Sequence, residues 1–171
     1  MGIRLVPLDE THLAGVDGLL DDPDTLRFTR IPEPVPPGYA RDWLERYEAG
    51  RRDGSREAFA VIDGDGSFVG IALAPDIDPV GGELELGYIV APAARGRGIA
   101  TELLRQLTRW ALDEVGAERI RLIIDVENAA SARVAERCGY VREGVLRSTY
   151  VKDSRPRADV AVWSRLPSDP V

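Results

Sequence analysis

Residues 83–114 read ELELGYIVAPAARGRGIATELLRQLTRWALDE, and the fold is decided there. Glu83 to Val90 alternates as a strand, with Glu83, Glu85, Gly87 and Ile89 on one face and Leu84, Leu86, Tyr88 and Val90 on the other. Ala91-Pro92 breaks the strand. An arginine- and glycine-rich turn follows, and from Ile99 the apolar residues Leu103, Leu104, Leu107, Trp110 and Ala111 recur at helical spacing up to a stop at Gly116. Gly96 and Gly98 let backbone N–H groups come close to a ligand where the positive end of that helix begins. The turn therefore reads as an anion site, and Glu85 lies a few residues upstream, where a base could meet a bound substrate.

Outward from this stretch the chain supplies strands and helices in an α/β order. Ile3 to Leu8 reads as a strand, followed by a helix from near Asp9 or Thr11 carrying Leu13, Val16, Leu19 and Leu20. Asp22-Pro23 starts a second helix, and the prolines between Ile31 and Gly38 make a stiff connector. Tyr39, Trp43, Leu44 and Tyr47 give an aromatic amphipathic helix. Ala58 to Asp63 and Phe68 to Ala74 form a hairpin around Gly64-Asp65-Gly66, and Pro75 to Gly82 reads as a polar loop. Arg119 to Val126 is a buried strand, and Ala129 to Arg137 a short helix. Two strands, near Tyr140 to Gly144 and Arg157 to Leu166, are joined by polar Ser148 to Pro156. The pattern implies a mixed sheet flanked by helices.

Composition bounds the function. The 171 residues suit a single domain, 1–171, and the net charge of -7 argues against nucleic-acid binding and suits an amine substrate. One cysteine excludes an internal disulfide framework, and Cys138, before a helix-ending glycine, reads as structural. His12 has no adjoining catalytic partner, and no residue cluster suggests a metal site. No apolar run approaches the roughly 20 residues that span a bilayer. The opening MGIRLVPLDETHL lacks a signal-peptide core, so a cytoplasmic location is expected.

Three phosphate-binding patterns can be compared with RGRG. A P-loop needs a Gly-Lys-Ser/Thr ending that is missing, and a dinucleotide fold needs GxGxxG, whereas Thr101 follows Gly98 at the third glycine's place. The third pattern is complete. Arg95-Gly96-Arg97-Gly98-Ile99-Ala100 matches Arg/Gln-x-x-Gly-x-Gly/Ala, the acetyl-coenzyme A motif of the GCN5-related N-acetyltransferases, which the chain resembles from Ile3 to Leu166 and most tightly from Glu85 to Arg147. NAASARVAERCGYVREGVLR, residues 128–147, is similar to the Asn-x-x-Ser and Gly-Tyr/Phe pattern of the branch that acetylates the N-terminal alanine or serine of ribosomal proteins.

That resemblance implies the acyl-CoA N-acyltransferase fold, a mostly antiparallel sheet of about six to seven strands with a splayed central pair. It implies a coenzyme-binding core at about 83–147 and acceptor-side elements at about 9–57. Acetyl-CoA is the implied cosubstrate, bound by Tyr88, Ile89, Val90, Arg95, Gly96, Arg97, Gly98, Ile99, Ala100, Thr101 and Asn128. The amides from Arg95 to Thr101 would cradle the pyrophosphate, with charge added by Arg95 and Arg97, and an N–H at Val90 or Ile89 would face the thioester oxygen. Glu85 is the implied base, with Glu83 in reserve, and Ser131 the implied acid, with Tyr140 and Tyr150 as alternatives; Asn128 and Ser131 would equally cap a helix. The implied acceptor is a protein N-terminal amine. Small amines such as antibiotics, polyamines or amino acids are the alternative, followed by a noncatalytic acyl-CoA sensor. A homodimer is a family expectation.

Overall fold

The computed structural model describes residues 2–152 and 155–170. Its seven strands are β1 (Ile3–Pro7), β2 (Glu57–Asp63), β3 (Phe68–Asp78), β4 (Glu83–Val90), β5 (Arg119–Asp125), β6 (Val141–Lys152) and β7 (Arg155–Arg165). They form one sheet in the order β1-β2-β3-β4-β5-β7-β6. Every neighbouring pair is antiparallel except β4 with β5. The helices are α1 (Leu13–Leu20), α2 (Pro23–Phe28), α3 (Tyr39–Asp53), α4 (Ile99–Trp110) and α5 (Ala129–Arg137). No helix among the described residues is long and apolar enough to cross a membrane.

Strand alternation divides the core in two. Leu84, Leu86 and Val90 of β4 pack with Leu103, Leu104 and Leu107 of α4, while Ile89 joins Trp43, Leu44 and Tyr47 of α3 and Val16 and Leu19 of α1 on the opposite face. Successive side chains of one strand thus feed both layers. Local signals start and stop the helices. The Asp22 carboxylate accepts from Thr25 N–H at 2.8 Å with Pro23 as first helical residue, and Gly116, at φ 75°, ends a π-helical turn that follows α4.

Two expected loops are largely strand. β3 runs on through Pro75 to Asp78, with a register shift between Leu73 and Asp76, so the polar turn is confined to 79–82. A bulge accommodates the missing N–H of Pro75 and lets pairing resume beyond it. Likewise β6 extends across Ser148 to Lys152, while Arg155 and Pro156 already belong to β7. Much of β6 is solvent-exposed at the sheet edge, so its polar residues carry none of the apolar alternation that marks a half-buried strand. Residues 153 and 154 lie outside the described residues.

Leu104 is fully buried between α4 and the sheet. Leu104→Ala is expected to lower the unfolding free energy by about 2–5 kcal/mol, read as a fall in the urea midpoint. Val80→Ala, at a position 97% exposed, is expected to leave the midpoint in place.

Candidate active site

The parallel strands β4 and β5 stay paired for only three steps, Glu83 with Arg119, Leu84 with Ile120 and Glu85 with Arg121. Beyond that point they part, and a cleft of about 380 Å³ opens between 86–89 on one side and 122–125 on the other. The closed end of this wedge is held by charge. Arg119 bonds Glu83 at 2.9 Å and Glu143 at 2.6 Å; Arg121 bonds Glu83, Asp76 at 2.6 Å and, at 3.4 Å, Glu85. Hydrogen bonds from Arg119 and Ser164 hold the Glu143 carboxyl down at about 2. Glu83, the expected reserve for a base, is thereby occupied by two guanidinium groups at the sealed end. Glu85 lines the open cleft, with Arg121 orienting one of its oxygens.

Backbone direction along the open part of β4 follows from its last pairing. Ala91 N–H donates to the Val69 carbonyl at 2.9 Å, so Ile89, two residues earlier, also directs its polar groups at β3, and Tyr88 and Val90 direct theirs into the gap. The close approach of Gly70 to Ile89 agrees: a Cβ on Gly70 would lie 2.2 Å from the Ile89 carbonyl oxygen. Of the two N–H groups expected to face a thioester, Val90 is the one on the correct side.

At the wide end of the wedge, Gly96 (φ 74°) and Gly98 (φ 80°) turn the chain into α4 with nothing within 4 Å of where their Cβ atoms would be. No side chain caps α4, which leaves its first amides available to an anion. The cradle is shorter than expected. Arg95 N–H donates to Pro92 and Thr101 N–H to Gly98, so the amides at the two ends of the expected run are spent. Neither arginine side chain is aimed freely at a ligand. Arg97 bonds the buried Asp63 at 2.7 Å, and Arg95 bonds the Val90 carbonyl at 3.1 Å, Thr25 at 3.2 Å and the Asp22 carboxylate. Burial opposes ionisation of Asp22, but the bonds from Arg95 and Thr25 prevail and hold its carboxyl below the ordinary range. The glycine turn, the uncapped helix and the unpaired edge of β4 together fit a coenzyme with a phosphate at one end and an extended amide-bearing arm.

Across the gap, Asn128 and Ser131 begin α5. The Asn128 side chain caps the helix by accepting from Ser131 N–H at 3.1 Å, and Asn128 also lines the cleft. Ser131 Oγ lies 3.0 Å from the Tyr88 hydroxyl, and burial pushes that phenol up to about 12. Tyr140 is removed from consideration as an acid: its hydroxyl lies in the core, 2.7 Å from Thr108 Oγ1. Tyr150 does line the cleft, with Arg30 5.8 Å from its ring centre. Cys138 is buried, and burial raises its thiol, as suits a packing residue. Sequence reasoning missed Arg121 and the Tyr88–Ser131 pair. Arg119-Ile120-Arg121 has the spacing that complements Glu83-Leu84-Glu85, a legible signal once the two strands are set side by side.

Comparison with known proteins agrees with this geometry. Residues 3–141 match the acetyltransferase (GNAT) domain model. The chain is similar to the putative ribosomal N-acetyltransferase YdaF of Bacillus subtilis, 35% identical over 72% of this chain and 60% of that protein, and to the spermidine N(1)-acetyltransferase of Vibrio cholerae, 26% identical over 65% of this chain and 64% of that one. It therefore spans less than two thirds of either relative. In fold it is similar to the ribosomal L7/L12 alpha-N-protein acetyltransferase RimL in complex with coenzyme A, with a TM-score of 0.87, 19% identity, and 96% of this chain and 93% of that one covered. With its splayed parallel pair, glycine turn and matching domain model, the chain belongs to the GNAT family of acetyl-CoA-dependent N-acetyltransferases.

Proposed function

We propose that this protein transfers the acetyl group of acetyl-CoA to the N-terminal α-amine of a protein or peptide by direct attack in a ternary complex. The observation that carries this reading is the placement of Glu85, Tyr88 and Ser131 in one cleft, opened where β4 and β5 part. Acetyl-CoA supplies the reactive thioester. Glu85 takes the proton of the attacking amine, directly or through a water. The Val90 N–H donates to the carbonyl oxygen as negative charge gathers there. Ser131 returns a proton to the departing sulfur, and the Tyr88 hydroxyl behind it keeps the serine oriented. The C–S bond breaks as the C–N bond forms, and no covalent enzyme intermediate is needed.

The similarity to YdaF supports a ribosomal-protein type of acceptor, and the spermidine acetyltransferase relative supports the second reading, a small-molecule amine. A cytoplasmic location is the expectation from the sequence, and a homodimer the family expectation. The long edge strand β6, with Val141, Val145, Leu146 and Val151 exposed, supports the dimer, and sedimentation would measure it.

Glu85→Gln is expected to lower kcat by about a hundredfold at neutral pH, with acetyl-CoA affinity by calorimetry kept within about twofold. Full activity in that variant would take Glu85 out of the mechanism. Mass spectrometry of cell proteins incubated with enzyme and labelled acetyl-CoA should find label on N-terminal amines; label confined to small amines would replace the leading acceptor with the second reading.

Ser131→Ala and Tyr88→Phe are each expected to slow turnover, and their double variant to be no slower than Ser131→Ala alone, because the two hydroxyls act as a unit. Since the Tyr88 phenol is held at about 12, it keeps its proton across the working range. The profile of kcat against pH should therefore show no alkaline fall up to about pH 10. A fall that disappears in Tyr88→Phe would show instead that this phenol titrates during catalysis.

A further inference from the structure

Three arginines and two carboxylates line the cleft, a balance opposite in sign to that of the chain as a whole. Arg30, Arg46 and Arg56 line it, contributed by the segment after α2, by α3 and by the residue before β2. No ion pair involves any of the three among the described residues. Two acids line the same cleft: Glu85 faces Arg121 at 3.4 Å, and the buried Asp125 accepts from Glu127 N–H at 2.9 Å. In the adjoining recess of about 600 Å³, Arg30 and Arg56 recur beside Glu85, and there Arg119 and Arg121 are matched by Glu83, Glu143 and Asp76. Within the cleft, the guanidinium groups that make no ion pair among the described residues are therefore Arg30, Arg46 and Arg56.

Their location separates them from the coenzyme phosphates. Arg56 immediately precedes Glu57, whose register partner on β3 is Ala74, so it sits at the Glu85 end of β4. Five strand steps, about 17 Å, separate Glu85 from Val90 at the end of β4, and the glycine turn lies beyond that. Arg56 is also fixed in place: α3 passes so close that a Cβ on Gly50 would come within 2.5 Å of the Arg56 Cβ. Arg46 and Arg56 line the cleft together with Tyr47, whose phenol is raised to about 12 by burial against the opposing pull of the two arginines.

We infer that the acceptor is an amine carrying a carboxylate close to the reacting nitrogen, an N-terminus followed by acidic residues in particular, and that Arg30, Arg46 and Arg56 select it while turning away polyamines. Unpaired guanidinium groups at a cleft wall are forks for carboxylates, and a polycation would have to enter against them. This assignment rests on the acetyl-transfer reading above and narrows its substrate class.

The test compares kcat/KM for matched peptides with acidic, neutral or basic residues at positions two and three, a free amino acid, and spermidine. The acidic peptide should exceed its neutral counterpart by about tenfold, a scale that a few part-exposed charge contacts supply, and the ratio should shrink as salt rises. Arg30→Gln/Arg46→Gln should bring the ratio close to one, Arg46→Lys should retain part of it, and Arg52→Gln, at the exposed end of α3, should leave it unchanged. A free amino acid preferred to every peptide would confine the recognition to a small carboxylated amine. Equal rates for all peptides, or a preference for spermidine, would overturn the inference. Calorimetry of the same ligands with the CoA-loaded protein reads the preference without turnover. Selective binding of the acidic peptide with no acetylation would sink the transferase reading and leave the charge selection standing; no selectivity in binding would sink the selection.

Discussion

The ion pairs between Glu83 and Glu85 on β4 and Arg119 and Arg121 on β5 lie where the two central strands stop pairing. Parallel strands left to themselves would continue their ladder, and the sheet would close over the space where the cleft is. Here the closed end is cross-linked by guanidinium–carboxylate bonds, while beyond it Leu86 and Val90 of β4 and Leu122 and Ile124 of β5 reach the same core as α4 without the strands pairing. The wedge leaves backbone groups of β4 unpaired, an arrangement that is costly unless an extended ligand completes the ladder. Position in the wedge then assigns the chemistry: charge at the narrow end, hydroxyls across the gap, and the uncapped helix at the wide end.

Much of this was legible in the sequence because its signals are local. The cap at Asp22-Pro23, the helix from Ala129 to Arg137, the alternation in β4 and the glycine turn each depend on neighbours a few residues away, and each stands where the spacing puts it. The resemblance carried by Arg95 to Ala100 added the splayed pair, which no local pattern encodes. What escaped depends on register. Glu83 looked available as a reserve base until Arg119 and Arg121 were set opposite. Arg95 and Arg97 looked like phosphate ligands because the Asp22 and Asp63 carboxylates that take them up are distant in the chain. Tyr140 was indistinguishable from a cleft tyrosine until its hydroxyl was found beside Thr108.

The two missed strand extensions share a cause. Apolar alternation reports burial, and β3 beyond Ala74 and β6 from Val141 to Thr149 bury no side chain fully while their backbones remain paired. A strand held by its ladder at an exposed edge has little need of hydrophobic side chains. The buried ammonium of Lys152, near the end of β6, bonds the Leu26 carbonyl and Glu33, so this edge hairpin reaches back to the proline-rich connector and contributes to the cleft wall.

Arg95 has a mechanical meaning beyond its failure to point at a phosphate. Its guanidinium joins the last residue of β4 to the first turn of α2, and α2 runs directly into Thr29, Arg30 and Ile31 on the cleft rim. The turn that would receive the donor and the segment that would greet the acceptor therefore form one linkage with Arg95 as its pin. Any displacement of the glycine turn would reach Arg30 through the bonds of Arg95 to Asp22 and Thr25 and then through the backbone of α2, with no need for the sheet to flex.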